Sequence, residues 1–446
     1  MSRLAVIARQ LRNSSSVRSS VHFDVIIVGA GNAAGYICGG LASDAHWMKT
    51  HSVGMFGQES EAPYERPALS KAFLHPPGSK VRARLPGFHT CVGTGGDRQE
   101  ASWYAQNGIS FFNNSVVTKV DTVEKQIQIE NKNKEHCTYS YGKLILATGA
   151  RPVTPADLKI PNNGLDVFTI REVEQSMELV KLMEAKRDSI KKVVVVGGGF
   201  IGLEAAAALV GWGFDVKLVF PNRNVMSRIF PNKIADRIRI HLSKSRGIEF
   251  VSNSRVTKIN ENSLELSNGD VMEAQLVIFG TGSKLNLEYL DLTRFKMGRD
   301  GGLQVNGNME TSVDGIYAVG DIACFQDIRH EHVGFARKSA ASVASCIIQQ
   351  EKAFSYQPYF YSRLFEYTDA PLVFQLHGSQ SNGRADEIGN HHQNFENMKL
   401  EMFGIVWYDD TDRVSGVLIF NASKKQFEAA RRSITQGVLE PFENLL

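Results

Sequence analysis

Residues 192–204 read KVVVVGGGFIGLE, and this stretch decides the fold. Its Val-rich run suits a strand buried on both faces. Gly197, Gly199 and Gly202 then complete G-x-G-x-x-G, and an Ala-rich apolar segment follows. Strand, glycine turn and helix in that order make a dinucleotide-binding unit: the glycines let the backbone approach a pyrophosphate, and the helix N-terminus supplies the complementary field. Residues 215–220, DVKLVF, provide the next strand of the crossover. Glu204 falls one turn into the helix.

A second copy lies near the start of the chain. Residues 23–28, FDVIIV, run into GAGNAAG, where Gly29, Gly31 and Ala34 meet G-x-G-x-x-A. A strand is expected at 52–56, and Glu59 follows it, where an acid holds a dinucleotide ribose. Two such units in one chain imply that two nucleotides meet, for which hydride transfer is the usual chemical reason. Residues 143–149, KLILATG, and 276–282, LVIFGTG, are strands ending in small turns, at Ala147, Thr148 and Gly149 and at Gly282, and suit chain crossings between the two units. Residues 315–321, GIYAVGD, end in Gly320 and Asp321. That carboxylate can bind a ribityl hydroxyl, while a helix over 336–348 points its N-terminus at the same ligand.

From residue 356 the texture changes. Aromatics cluster in YQPYFYSRLFEY, strands are expected within 399–408 and 414–419, and a charged helix spans 424–436. The fold class is therefore α/β, with two Rossmann-like dinucleotide-binding domains and a C-terminal α+β domain. The boundaries expected are a leader at 1–22, a first nucleotide domain at 23–160 that resumes at 284–350, a second at 161–283, and the α+β domain at 351–446.

Bulk properties exclude several classes. The net charge of +3 comes from the leader, whose Arg3, Arg9, Arg12 and Arg18 stand without any acid; the body keeps 46 basic against 47 acidic residues. A near-neutral body lacks the basic stripe that nucleic-acid binding uses. No apolar run approaches the ~20 residues of a membrane-spanning helix. The Arg- and Ser-rich, acid-free leader has the character of an organelle transit peptide, with mitochondrion ahead of plastid. Cys38, Cys91, Cys137, Cys324 and Cys346 show no C-x-x-C or C-x4-C spacing, which argues against a disulfide framework or a cysteine zinc site. No histidine spacing suggests a metal.

Residues 63–71, PYERPALSK, are unlike their surroundings. Two prolines fix φ and remove two donors, so the segment is neither a strand nor the middle of a helix. It is a stiff connector that delivers Arg66 and Lys71 to definite places.

The order of motifs resembles the glutathione-reductase-like flavoprotein oxidoreductases. The redox cysteine pair common in that group is missing, and PYERPALSK stands in its place. PYERPALSK, GFHTCVGTGGDRQ with Trp103 and Tyr104, GGGFIGLE, EHVGFARKSA and PYFYSRLF together resemble the monodehydroascorbate reductases. The resemblance implies hydride transfer from NADH or NADPH to FAD, then two single-electron transfers to monodehydroascorbate radicals, regenerating ascorbate. A flavin suits this because it takes electrons in a pair and releases them singly.

By the same resemblance, Gly29, Gly31, Ala34, Glu59, Arg66, Lys71, Ala147, Thr148, Gly149, Gly320 and Asp321 form the FAD site. A cation such as Arg66 or Lys71 near the flavin stabilises the reduced, anionic ring. Gly197, Gly199, Gly202 and Glu204 bind the nicotinamide nucleotide, together with Gly282 in the second turn. Phe200 stands where the family often has a tyrosine that covers the flavin until nicotinamide displaces it. Arg337 matches an arginine that holds the ascorbyl anion, Tyr361 a ring that stacks on the substrate, and Gly93 marks a loop expected to close the pocket. Cys91 reads as a bystander thiol. A monomer or weak dimer is expected.

The chain departs from the family twice. Pro221 is followed by Asn222 and Arg223 where Pro-Glu is common, and Arg228 matches a family arginine nearby. The acid that would repel a 2′-phosphate is gone, so better use of NADPH is expected, with NADH still a substrate. Gly334 and Phe335 replace an Asp-His pair beside Arg337. Two other members of the architecture compete. Ferredoxin- or rubredoxin-type NADH reductases lack the PYFYSR and GGDRQ…WY stretches. An apoptosis-inducing-factor-like flavoprotein fits the leader but not the absence of basic clusters.

Overall fold

The computed structural model describes residues 21–90, 98–349, 354–381 and 383–441. Residues 1–20 of the leader, Cys91 and Gly93 lie outside them, whereas Val21 and His22 already belong to the first strand. The chain gathers into two compact units. One holds the described residues of Met1–Glu65, Leu85–Ala150 and Leu285–Tyr356; the other holds Arg66–Arg84, Arg151–Lys284 and the described part of Gln357–Leu446.

The first unit is built on a seven-stranded sheet. Its order is Ile109–Phe112, Val53–Phe56, Val21–Val28, His136–Leu146, Gln126–Asn131 and Ser115–Asp121, with Ile316–Ala318 also paired to His136–Leu146. The central strands are parallel and their ends align: Val28 faces Phe56 and Leu146, and Ala318 faces Leu146. Four strand ends thus fall on one edge; Gly29 and Ala147 follow theirs directly, and Gly320 follows Ala318 after Val319. Ligands of open parallel sheets bind outside this edge. Helices Asn32–Ala42 and Val333–Ile347 pack on one face through small residues, among them Ala33, Ala34, Ala336, Ala340 and Ala344. The second helix starts three residues earlier than the sequence suggested, because the His332 side chain accepts from the Gly334 amide and caps it.

The second unit contains a parallel five-stranded sheet in the order Ile248–Val251, Asp215–Val219, Lys192–Val196, Leu276–Phe279 and Val167–Thr169. Val193, Val194 and Val195 are fully buried, as a strand covered on both faces requires. An antiparallel sheet follows in the order Tyr359–Leu364, Leu372–Gly378, Val414–Phe420, Phe403–Tyr408 and Ala385–Gly389. Helix Lys424–Gln436 covers it, opened by a Ser423/Gln426 capping box and stopped by Gly437 in the left-handed region. Phe230 packs edge-on against Phe374 and Phe420, joining the nucleotide-binding fold to this sheet.

The connector behaves as its prolines dictate. Tyr64 makes a single bridge to His89, and Arg66–Ala68 forms one 3-10 turn. The two units divide the stretch between Glu65 and Arg66.

Candidate functional site

In the first unit, Gly29 turns the chain out of its strand at φ +107°. A Cβ there would lie 2.4 Å from the Ala147 carbonyl oxygen, so only glycine fits. Gly31 begins the helix without a side-chain cap, which leaves the first-turn amides for an anion. Ala34 is fully buried against the second helix. Glu59 accepts from the Tyr64 hydroxyl at 2.5 Å. The turn of Ala147, Thr148 and Gly149 is clamped to Asn286: the Thr148 hydroxyl donates to its carbonyl at 2.7 Å, and its side-chain amide donates back to the Thr148 carbonyl at 3.0 Å. Gly320 takes φ +66°, and its amide donates to the Ser339 hydroxyl at 3.2 Å, tying the Gly-Asp turn to helix Val333–Ile347. Asp321 follows in the same 3-10 turn.

These residues fit a dinucleotide. They put an uncapped helix start, a glycine that tolerates no side chain, a ribose-type acid and a Gly-Asp turn along one sheet edge. Arg337 belongs to the same unit. Its Nη2 lies 2.9 Å from Glu65 Oε2, and its side chain is one-third exposed. Glu65 also accepts from Asn32 Nδ2 and from the Tyr36 hydroxyl, each at 2.6 Å. Sequence reasoning passed over Glu65, Asn32 and Tyr36. The available signal was the four-residue spacing of Asn32 and Tyr36, which puts both on one helix face.

In the second unit the three glycines do different work. A Cβ on Gly197, at φ +118°, would lie 2.2 Å from the Gly280 carbonyl oxygen. A Cβ on Gly202 would lie 1.8 Å from the Gly197 carbonyl, so this glycine permits close packing of helix and strand. A Cβ on Gly199 would meet nothing within 4 Å. The protein leaves open the one place where a pyrophosphate comes closest to the backbone, so the turn fits a nucleotide. Gly282, at φ +112°, accepts from the Val153 amide at 3.0 Å.

Glu204 is buried at the centre of a polar cluster. Its carboxylate accepts from the Ser70 hydroxyl at 2.5 Å and the Ser362 hydroxyl at 2.6 Å, and Lys71 Nζ lies 2.8 Å away. Ser70 and Ser362 carried no sequence signal of their own. Ser362 is reached because a two-residue step along strand Tyr359–Leu364, about 6.7 Å, nearly matches a four-residue step along helix Phe200–Val210, about 6 Å. Phe360 accordingly stacks on Phe200, with ring centroids 3.4 Å apart, while Ser362 reaches Glu204. Tyr361 alternates to the other face of the strand. Burial raises its phenol above the ordinary value.

Arg66 Nη1 donates to the Arg171 carbonyl at 2.6 Å within this unit. Lys71 pairs with Glu204, and both this pair and the Arg66–Arg171 bond lie within the second unit. Asn222 and Arg228 are exposed, and Arg223, also exposed, lies 3.5 Å from Asp236. Among the described residues, Cys137, Cys324 and Cys346 form no disulfide, and the Cys38 thiol donates to the Met55 sulfur at 3.8 Å. No group of metal-ligating side chains, and no helix long and apolar enough to cross a membrane, occurs among the described residues.

Comparison with known proteins adds the following. The pyridine nucleotide-disulphide oxidoreductase family model matches residues 23–344. The chloroplastic/mitochondrial monodehydroascorbate reductase of Arabidopsis thaliana is 36% identical over 95% of this chain and 84% of its own length. The cytosolic monodehydroascorbate reductase 4 of Oryza sativa subsp. japonica is 35% identical over 91% of this chain and 92% of its own. Among solved structures, the ferredoxin reductase for the CYP199A2 system of Rhodopseudomonas palustris superposes with a TM-score of 0.72, at 25% identity over 89% of this chain and 91% of that one.

Proposed function

Since the chain belongs to the pyridine nucleotide-disulphide oxidoreductase family and, within it, to the monodehydroascorbate reductases, we propose that it oxidises NADH or NADPH and reduces monodehydroascorbate radicals to ascorbate. The observation that carries this reading is the extent of the likeness: 36% identity spans 95% of the chain, so it includes both nucleotide folds and the C-terminal sheet. When bound, FAD accepts a hydride and passes its electrons on singly.

The chain's own residues supply binding and orientation. Gly29, Gly31 and Ala34 form the pyrophosphate turn for FAD, Glu59 takes the ribose, and Ala147, Thr148, Gly149, Gly320 and Asp321 line the same sheet edge. Gly197, Gly199 and Gly202 receive the nicotinamide nucleotide beside Gly282, and Phe200 stands at the start of that helix. The Lys71–Glu204 pair, with Arg66 held by the Arg171 carbonyl, fixes the cationic connector against the second nucleotide fold. Arg337 offers the ascorbyl anion a charge and several donors together, and Tyr361 offers a stacking face. Asn222, Arg223 and Arg228 accommodate a 2′-phosphate, which supports the use of NADPH beside NADH. The Arg-rich leader supports delivery to an organelle, mitochondrion ahead of plastid.

The test is oxidation of NADH and NADPH by the FAD-bound protein, with the radical generated from ascorbate by ascorbate oxidase. Oxidation that depends on ascorbate oxidase is the expected result. A flavin that reduces normally but is not reoxidised by the radical would overturn the choice of acceptor and leave the nucleotide sites standing.

A further inference from the structure

We infer that Glu65 is a positioning residue for substrate: held by Asn32 and Tyr36, it orients the Arg337 guanidinium toward the anionic radical. The inference rests on the reading of Arg337 given above. It adds three residues to which no sequence motif had assigned a role.

The geometry is specific. Glu65 Oε2 accepts from both Asn32 Nδ2, at 2.6 Å, and Arg337 Nη2, at 2.9 Å. Glu65 Oε1 accepts from the Tyr36 hydroxyl at 2.6 Å. Both carboxylate oxygens are therefore engaged, and the rotation of the group is fixed. Its side chain is 11% exposed, against 33% for Arg337. The carboxylate is the anchored partner, and the guanidinium is the one that reaches solvent.

Tyr36 holds Arg337 a second time. Its ring lies beneath the guanidinium, with Cζ 5.3 Å from the ring centroid. One tyrosine thus orients the carboxylate through its hydroxyl and supports the cation through its face. Asn32 and Tyr36 stand one turn apart on helix Asn32–Ala42, whose start follows the Gly29–Gly31 turn. The helix assigned to the FAD pyrophosphate therefore also carries the two donors that set Glu65, which in turn sets the substrate arginine. A long, partly exposed arginine has much rotamer freedom to lose when it binds a ligand. Holding it in place beforehand removes part of that cost from substrate binding.

The test uses the oxidised holoenzyme. Ascorbate, the anionic product, is titrated and its Kd read from the flavin absorbance change, and KM and kcat for the radical are measured beside it. Glu65→Gln keeps the size of the side chain and loses the ion pair. It is expected to raise both Kd and KM about tenfold, as loss of one charge-assisted hydrogen bond would, and to leave kcat within about twofold. Tyr36→Phe, which keeps the ring, is expected to raise them about threefold. In an Arg337→Gln background, adding Glu65→Gln is expected to change Kd by less than about twofold, because Glu65 acts through the arginine.

Equal losses from Glu65→Gln in the two backgrounds would show a merely structural role and overturn the inference while leaving the function intact. Tighter ascorbate binding in Glu65→Gln would overturn it too, by showing that the carboxylate masks the arginine. If Glu65→Gln fails to retain FAD, Tyr36→Phe alone and combined with Arg337→Gln carries the same comparison. A wild-type protein that neither binds ascorbate nor reduces the radical would sink the functional reading, and the inference with it.

Discussion

Replacing Lys71 by methionine keeps the length of the side chain and removes its charge, leaving the Glu204 carboxylate, 3% exposed, without its cation. Breaking a buried ion pair from one side costs about 3–5 kcal/mol. Two features lower that figure here: Lys71 is itself 17% exposed, and the Ser70 and Ser362 hydroxyls still donate to the carboxylate. A local cost of about 2–3 kcal/mol remains, which is roughly a 30- to 150-fold change in an opening equilibrium. The effect should appear where the connector is held. The amides of Leu69, Lys71, Phe73 and Leu74 are bonded to carbonyls within the same segment. Hydrogen exchange followed by mass spectrometry reads them without assuming that a two-unit protein unfolds in one step. Lys71→Met is predicted to speed exchange of residues 66–84 by that factor. The double variant Lys71→Met with Glu204→Gln is predicted to recover to within about tenfold of wild type, because no uncompensated carboxylate remains. Exchange within threefold of wild type in Lys71→Met, or faster exchange in the double variant than in the single one, would refute the reasoning.

Gly29→Ala puts a Cβ 2.4 Å from a backbone carbonyl at a positive φ, and is predicted to yield protein that retains little FAD, read as the flavin-to-protein absorbance ratio. Gly199→Ala meets no protein atom within 4 Å. It should therefore fold with an unchanged melting temperature and raise KM for the nicotinamide nucleotide at least about tenfold, since only the ligand contests the space. Asn222→Glu is predicted to cut kcat/KM for NADPH at least about tenfold and to spare NADH, by restoring an acid against the 2′-phosphate; equal losses for both nucleotides would refute it. Burial, reinforced by Arg246, lowers the His241 imidazole from 6.5 to about 4, and burial with Arg431 lowers His377 likewise. Both are neutral when folded and take up protons more readily when unfolded. Stability is therefore full above pH 6.5 and falls as the pH drops toward 4, by about 1.4 kcal/mol per pH unit for each imidazole within that window. Urea midpoints that stay flat from pH 6.5 to 4 would contradict this.

The parts of the site legible in the sequence are those where the backbone itself makes the demand. Gly29 and Gly197 stand where a carbonyl would collide with any side chain, and such positions announce themselves by residue type and spacing. Glu204 was legible only through its place after the glycine motif, as a nicotinamide-site residue; its polar cluster was not, because that comes from Ser70 and Lys71 more than 130 residues earlier and Ser362 about 160 later. Nothing local records those meetings. Tyr361 attracted notice for its ring, whereas the strand's alternation turns Phe360 and Ser362, not Tyr361, toward helix Phe200–Val210. Strand facing depends on what packs beneath, and the apolar run YFY supplies no alternation from which to read it. Helix Val333–Ile347 began early for a related reason: a histidine cap is a weaker sequence signal than Ser, Thr, Asp or Asn.

The connector can now be understood through the two carboxylates it helps to neutralise. Glu65 is closed by one cation, Arg337, and two neutral donors, Asn32 and Tyr36. Glu204 is closed by one cation, Lys71, and two neutral donors, Ser70 and Ser362. Residues 63–71 contribute the acid to the first cluster and the base to the second, and the boundary between the units falls between them. Each ion pair is thus close to neutral within its own unit, which accords with a body of nearly balanced charge. A guanidinium whose charge is matched by a carboxylate attracts a small anion weakly from a distance, because the two fields cancel beyond a few ångströms. What it retains is a set of N–H donors held at fixed angles. On the reading of Arg337 proposed above, recognition of a monoanion depends on contact geometry more than on long-range field, and Glu65, which holds the guanidinium within the first unit, belongs to the recognition apparatus as well as to the fold.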